Sequence, residues 1–267
     1  MTFGAGIAAG GLGTIVGVSG GVFLVPMLII LLGLPFQQAA GISLMTVIAT
    51  SGAIAAGRAG QGLINVRLGM LLEIGSASGA LLGGLAAYHL FSERALSLIF
   101  AACTGAIGIT TLARLNKRNA LDPAAEPGRL GGRYVEARSG REIVYRAKRL
   151  PVGLATWFLA GNLAGLLGIG GGVIKTPSLT MWCGVPLRAA AATSGFMMGV
   201  TAVASVPLYY ARGAVVPQFA AAAVLGVLLG AAAGLKVSDR LRVRWLKIVL
   251  AVVLFLVSAV MIARAGA

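Results

Sequence analysis

The sequence has little of what catalysis and metal binding require. Its 267 residues include one histidine, two cysteines and seven acidic residues, and charged residues make up only 11% of the chain. Hydrolytic triads and metal sites need clustered histidine, cysteine or carboxylate side chains. Cys103 and Cys183 lie inside apolar segments without a CxxC pair or a neighbouring histidine, so we predict plain buried thiols. The composition argues against an enzyme and predicts neither a metal nor a cofactor.

Apolar residues and glycine are abundant instead. Hydrophobic residues make up 58% of the chain and glycine contributes 40 residues, which is more apolar surface than a soluble domain of this length can bury. Segments of about 20 apolar residues are long enough to cross a bilayer. The sequence therefore predicts an all-α, polytopic membrane protein with apolar segments at 3–34, 39–57, 68–88, 95–113, 151–184, 189–211, 215–235 and 244–263.

The chain carries an excess of basic residues, with 22 Lys and Arg against seven acidic residues. Most of these residues lie in the connections between the apolar segments. Such a distribution is typical of membrane topology, so we predict a lipid bilayer as the surrounding partner and no nucleic acid.

An internal repeat appears when the chain is shifted by 151 residues without a gap. Pro26 then aligns with Pro177, Pro35 aligns with Pro186, and glycines of the two halves superpose in order. Self-similarity at one fixed offset indicates a duplicated structural unit. Each unit consists of a long segment interrupted by glycines, followed by three simple transmembrane helices.

The repeat divides the chain into three parts. Residues 1–113 form the first transmembrane repeat, 114–150 form a basic cytoplasmic linker, and 151–267 form the second repeat. The linker holds ten basic residues. Its alternating stretch around Ser139 and Gly140 is compatible with a β-hairpin or with a disordered basic segment on the lipid surface, and the sequence does not choose between them.

Charge counting predicts that the two repeats are inverted. The segments 3–34 and 151–184 are too long for one straight crossing of a ~30 Å core, and each contains glycines that release the backbone from helix. If each is a hairpin, either re-entrant or made of two short crossings, each repeat crosses an odd number of times. Eighteen basic residues then lie on the linker side against three on the other, as the positive-inside rule requires. Inverted repeats with interrupted helices are a plan of secondary transporters.

The glycine breaks are the candidate substrate site. An apolar stretch follows each break and can begin a half-helix, whose unpaired amides and partial positive charge suit an oxyanion. Tight packing of the hairpins is the alternative reason for glycine here, and both reasons can hold. The candidates are Ser19, Gly20 and Gly21 in the first break and Gly170, Gly171 and Gly172 in the second.

Polar residues near the breaks extend this candidate site. Lys175 is the only cation inside a broken segment, and an ionisable group at membrane depth suggests function; a lysine that extends to an interface is the alternative. Hydroxyls follow the breaks, and two pairs related by the repeat rank highest as anion donors, although hydroxyls also bond to helix carbonyls. These pairs are Ser43 with Ser194 and Thr50 with Thr201.

Two further titratable residues lie in the third helix of the first repeat. Glu73 is predicted about one turn inside the cytoplasmic end, and His89 near the opposite surface. Either could couple proton movement, because histidine titrates near neutral pH and burial raises the pKa of a glutamate. We predict interfacial positions for both.

The two breaks also carry a family resemblance. The blocks GVSGGVFLVPML and GIGGGVIKTPSL, each followed by a GLP or GVP turn and an alanine-rich helix, resemble the TauE/SafE sulfite exporter family over nearly the whole chain. The resemblance implies a multi-pass protein of the bacterial inner membrane that exports sulfite, sulfoacetate or related organosulfonates. Ser19 stands where the second block has Gly170, so the two breaks are not equivalent.

Taken together, the residues and the resemblance predict an alternating-access secondary transporter with an anion site near the membrane midplane. Uptake of thiosulfate or a sulfonate and passive anion conduction are the alternative transport hypotheses. A membrane scaffold without transport activity is a further alternative, and it predicts no stabilisation by anions.

Overall fold

The computed structural model describes residues 1–16, 19–113, 126–135, 140–240 and 243–266. These residues form ten α-helices and one two-stranded hairpin. The first half contains α1 (Thr2–Val16), α2 (Gly21–Leu32), α3 (Phe36–Arg58), α4 (Val66–His89) and α5 (Glu93–Ala113). The second half contains α6 (Leu150–Leu167), α7 (Gly172–Met181), α8 (Leu187–Ala211), α9 (Pro217–Arg240) and α10 (Val243–Gly266). The polytopic all-α fold predicted from composition is confirmed.

Helix boundaries recur at the offset found in the sequence. Adding 151 to the first residues of α2, α3 and α4 gives the first residues of α7, α8 and α9. Each broken segment is a pair of helices, α1 with α2 and α6 with α7, and three longer helices follow it. The duplication in sequence is therefore also a duplication of secondary structure.

The helices that correspond between the halves run antiparallel to each other. On α3 and α8, Ile54 packs beside Gly195 and Ser51 beside Gly199, so residue numbers rise along one helix as they fall along the other. On α5 and α10, Ser258 lies beside Gly105 and Phe255 beside Gly108, which is again the antiparallel order. Equivalent helices that run in opposite directions are related by a two-fold axis roughly perpendicular to them. Transporters with inverted repeats have this arrangement.

Glycines hold the two halves together along two parallel helix pairs, α1 with α9 and α4 with α6. A Cβ atom at Gly79 of α4 would overlap the carbonyl oxygen of Phe158, and one at Gly230 of α9 would overlap that of Ile7. Such close backbone approach is the usual role of small residues four apart in membrane helices. The first helix of each hairpin, α1 or α6, is thus packed against the second long helix of the other repeat, α9 or α4.

Apolar side chains on the outside of the bundle are consistent with lipid contact. Ile74 and Met70 of α4 are 73% and 54% exposed, and they lie four residues apart on one helix face. Among the described residues, five helices are long and apolar enough to cross a membrane: α3, α4, α6, α8 and the α9 segment 217–237. Shorter helices α1 and α2 are apolar as well.

The linker forms a hairpin against the end of the bundle. Strands β1 (Gly132–Val135) and β2 (Glu142–Tyr145) pair antiparallel, so the hairpin alternative is the one that the structure shows; Ser139 lies outside the described residues. Asn65, the residue before α4, accepts from the Leu68 amide over 3.1 Å and donates to the Leu130 carbonyl over 3.0 Å and to the Tyr145 hydroxyl over 3.3 Å. Burial raises the pKa of the Tyr145 phenol, so it stays protonated at neutral pH. One side chain therefore both caps α4 and attaches the hairpin.

Replacing Asn65 tests this attachment. Asn65→Ala is expected to lower the free energy of unfolding by ~2 kcal/mol, because it removes a helix cap and leaves part-buried linker carbonyls without a donor. Asn65→Ser keeps an oxygen that can cap the helix, so its loss should be smaller. Thermal unfolding in detergent compares the two variants, and equal stability of Asn65→Ala and the parent protein would contradict the assignment.

Candidate functional site

The two glycine turns predicted from the sequence lie against each other. Ser19 Oγ donates to the Ile169 carbonyl of the other repeat. Gly21 packs on the Gly168 carbonyl oxygen, which also accepts from Ser43 Oγ over 2.7 Å. The structure thus brings the first break, the second break and one of the predicted hydroxyls into one contact region.

This region lies about halfway through the bundle. Gly21 packs against Val47, in the middle of α3, and Gly172 against Met198, close to the middle of α8. α7 has ten residues and extends ~15 Å, half of a ~30 Å hydrocarbon core. The half-helices α2 and α7 therefore begin about halfway along the long helices, and each hairpin has its turn inside the bundle.

The two turns differ in backbone conformation. Gly170 and Gly171 have φ angles of 67° and 73°, a region that side chains with a Cβ rarely adopt. Gly20, the residue before α2, is in the right-handed helical region with φ −58°. Ser19 occupies the position of Gly170 and is not among the described non-glycine residues with positive φ, so the first break follows a different path.

Glycine at the helix starts is also required by packing. A Cβ atom at Gly20 would lie 2.9 Å from the Ala9 carbonyl oxygen, and one at Gly172 would overlap the sulfur of Met198. The first amides of α2 and α7 have no acceptor within their own helices, and each of these helices begins with a partial positive charge after one of the two turns that Ser19 joins. The arrangement can accept negative charge if the turns separate.

The predicted hydroxyl pairs do not have equivalent surroundings. Ser43 bonds across the repeats to Gly168, whereas Ser194 Oγ lies 2.6 Å from Thr176 Oγ1 within its own repeat. Thr50 donates to the Thr46 carbonyl of its own helix over 2.7 Å, which is the common behaviour of hydroxyls in helices. Only Thr201 contacts charged side chains.

Lys175 is fully buried in an ion pair. Its Nζ lies 3.0 Å from Glu73 Oε2 of α4, and the Glu73 side chain is 4% exposed. Lys175 also donates to Thr201 Oγ1, and the Thr201 hydroxyl donates to Glu73 Oε1. Ser76 Oγ lies 3.1 Å from Thr201 Oγ1. The alternative in which Lys175 extends to an interface is therefore wrong.

Glu73 requires a correction as well. The interfacial position predicted from its place in the sequence is wrong, because the side chain turns inward and the inserted half-helix α7 presents Lys175 to it. The depth of Glu73 along α4 did not reveal on which face it lies. The face could have been inferred from Gly69, Ser76 and Ala80, which are small residues on the buried side of α4 together with Glu73.

The other titratable residues lie apart from this cluster. His89 is exposed at the end of α4, where its Nε2 lies 2.7 Å from Arg212 Nη2, so its predicted surface position is confirmed. Cys183 is buried and Cys103 is partly buried, and both are free thiols. In the ranges that the structure describes, no three histidine, cysteine or acidic side chains cluster as metal ligands.

Comparisons with known proteins agree with this architecture. A family model described as "Sulfite exporter TauE/SafE" matches residues 2–261. The probable membrane transporter protein YunE of Bacillus subtilis (strain 168) is 25% identical over 264 residues, which span 96% of this chain and 94% of the relative. No solved structure matches the chain.

Proposed function

The chain belongs to the sulfite exporter TauE/SafE family, and from this premise we propose that it exports small sulfur-containing oxyanions across the bacterial inner membrane. Membership and the apolar helices make it a multi-pass membrane transporter. The proposal adds the substrate class, namely sulfite, sulfoacetate or a related organosulfonate, the direction of transport and alternating access as the mechanism. It also holds that the protein is a carrier and not an enzyme.

The contact between the two glycine turns is the observation that carries this proposal. Inverted repeats that meet through broken helices near the midplane support a site reached alternately from both sides. An oxyanion there would accept hydrogen bonds from the free amides of α2 and α7, whose N-terminal ends carry partial positive charge. Lys175, the fourth residue of α7, adds a full positive charge close to the second turn.

The closed contact also indicates what has to move. Ser19 to Ile169 and Ser43 to Gly168 are bonds between the repeats, and they occupy the acceptor carbonyls of the second turn. An anion needs donors and not these carbonyls, so it would bind when the turns part and their amides become accessible. The glycines at both turns tolerate a wide range of backbone dihedral angles, so the turns can part without rearranging side chains of their own.

Purified protein in detergent and in proteoliposomes tests the proposal. Sulfite or sulfoacetate should raise the thermal stability, by ~2.7 kcal/mol at a ligand concentration 100 times Kd, while acetate should not. Labelled anion should then show saturable flux and counterflow. Flux without saturation or counterflow would identify a passive channel, and accumulation only from outside would identify the uptake permease.

Absence of both stabilisation and flux with sulfite, sulfoacetate, thiosulfate and sulfate would overturn the proposal in favour of a scaffold. Empty liposomes measure the leak of each anion. Heat-unfolded protein reconstituted in the same way controls for lipid damage.

A further inference from the structure

The charge cluster around Lys175 has features that packing alone does not explain. Glu73 and Lys175 are the buried charged side chains among the described residues. Isolated charges at membrane depth are costly, and a fully apolar pair would fit the interior at lower cost. The positions related to them by the repeat offset are Val224 and Leu24, so the other repeat uses apolar residues at the same places.

A donor without a partner lies beside this pair. The Trp157 ring is centred 4.8 Å from Lys175 Nζ, and its indole N–H is buried with no hydrogen-bond partner among the residues that the structure describes. A buried donor without an acceptor is destabilising. Trp157 and Lys175 together present an unfilled donor and a cation, which is the complement of an oxyanion.

We propose that Glu73 occupies the place of the substrate anion at Lys175, and that protonation of Glu73 releases Lys175 and Trp157 to bind a monovalent oxyanion. This inference rests on the proposed function, because it assumes that the chain transports an oxyanion. In the described state the negative partner of Lys175 is the Glu73 carboxylate. In the loaded state it is the anion, and the proton resides on a Glu73 carboxyl oxygen.

Charge balance favours this exchange. The empty cluster contains one ammonium and one carboxylate and is neutral. After one proton and one monovalent anion bind, the ammonium faces the anion, the carboxylic acid is uncharged, and the cluster is again neutral. Anion binding without the proton would leave a net negative charge in a low-dielectric region, which is strongly disfavoured. The site therefore links one proton to each anion and favours hydrogensulfite and sulfonates over dianions.

Among the described residues, the side chains that neighbouring elements are seen to bring against the pair are uncharged. α4 brings Ser76, α8 brings Thr201 and α6 brings Trp157. Two buried ionisable groups that follow α7 or lie on α8 are Cys183, packed near Leu72 and Gly153, and Tyr209, which donates to the Gly165 carbonyl over 2.7 Å. Neither of these contacts involves Glu73 or Lys175, so Glu73 is the proton acceptor in the cluster.

Thr201 connects Lys175 and Glu73 by hydrogen bonds and can exchange Glu73 for the anion as its partner. Its oxygen accepts from Lys175 while its hydroxyl donates to Glu73. Once Glu73 is protonated, the Thr201 hydroxyl can turn toward an incoming anion.

A proton–anion symporter transports in the direction set by the sum of the proton and anion gradients. Export therefore requires an internal anion excess that outweighs the inward proton gradient.

Proteoliposomes that contain a pH-sensitive dye and receive labelled methanesulfonate, a monovalent sulfonate, test the inference. We expect about one proton per anion and no dependence of flux on a potassium–valinomycin voltage clamp, since the loaded and empty clusters are both neutral. Saturable anion flux without proton movement would overturn the inference and leave the proposed function standing. No flux of any anion would remove the proposed function itself.

Variants sharpen this test. Glu73→Gln imitates the protonated acid, so anion exchange should remain measurable while net proton-driven accumulation falls by at least about tenfold. Trp157→Phe keeps the ring but removes the donor, so we expect about tenfold weaker methanesulfonate binding with an unchanged proton-to-anion ratio. Trp182→Phe, at a residue 37% exposed, is the matched control. Unchanged affinity in Trp157→Phe, or unchanged net accumulation in Glu73→Gln, would contradict the assignment.

Discussion

Lys175→Leu is expected to lower the free energy of unfolding by ~3–5 kcal/mol and to abolish anion-dependent stabilisation. The substitution leaves the Glu73 carboxylate buried at 3% exposure with no cation beside it, and loss of one partner of a buried ion pair has a cost of this size. Denaturant unfolding in a fixed detergent measures the first effect. Thermal shift with sulfite measures the second.

A double variant separates the effect of an unpaired charge on stability from the effect of the changed side-chain shape. Lys175→Leu combined with Glu73→Val introduces the residues found at the equivalent positions Leu24 and Val224 of the other repeat. Because no unpaired charge remains, most of the lost stability should return, while anion binding should stay absent. Recovery of binding in the double variant would show that the ion pair is only structural.

Gly79→Ala is expected to disrupt the fold more than a substitution at most other glycines. The added methyl group would overlap the Phe158 carbonyl oxygen, and Gly161 on the facing helix lies equally close to the backbone of Ser76. Neither obstacle is a movable side chain, so α4 and α6 would have to separate. We expect a loss of ~3 kcal/mol in the free energy of unfolding, seen as lower thermal stability and poorer recovery in detergent.

Gly52→Ala is the matched control for this effect. Gly52 is an exposed glycine within α3, and a Cβ atom placed on it meets nothing within 4 Å. Alanine has a higher helix propensity than glycine, by up to ~1 kcal/mol, so this variant should be as stable as the parent or more so. Equal behaviour of the two variants would show that helix packing at Gly79 is looser than the structure indicates.

Much of the fold could be predicted because the sequence contains an internal repeat, so that each half can be compared with the other. The offset of 151 residues fixed which segments correspond, and the helix starts at Gly21 and Gly172 repeat it. Charge distribution then indicated the inversion, which the antiparallel packing of α3 on α8 confirms. Periodicity and composition are informative here because each apolar segment must satisfy its backbone internally.

The polar cluster could be predicted only in part. Lys175 and Thr201 were identifiable because polar residues are rare in the apolar segments, but their partner Glu73 lies 102 residues away from Lys175 and in the other repeat. Trp157 was not predicted, since an indole in an apolar helix is typical of packing. Its missing hydrogen bond becomes visible only when the surroundings of the ring are known.

The glycine-lined pairing of α1 with α9 and α6 with α4 has a consequence for biosynthesis. α1 is synthesised before α9, yet the backbone surface that receives Gly6 and Gly10 belongs to α9. α6, in contrast, follows α4 in the chain, so its partner has already been synthesised when α6 emerges. The α1–α2 hairpin therefore reaches its final partner only after α3 to α9 have been translated, so this helix packing forms late in assembly.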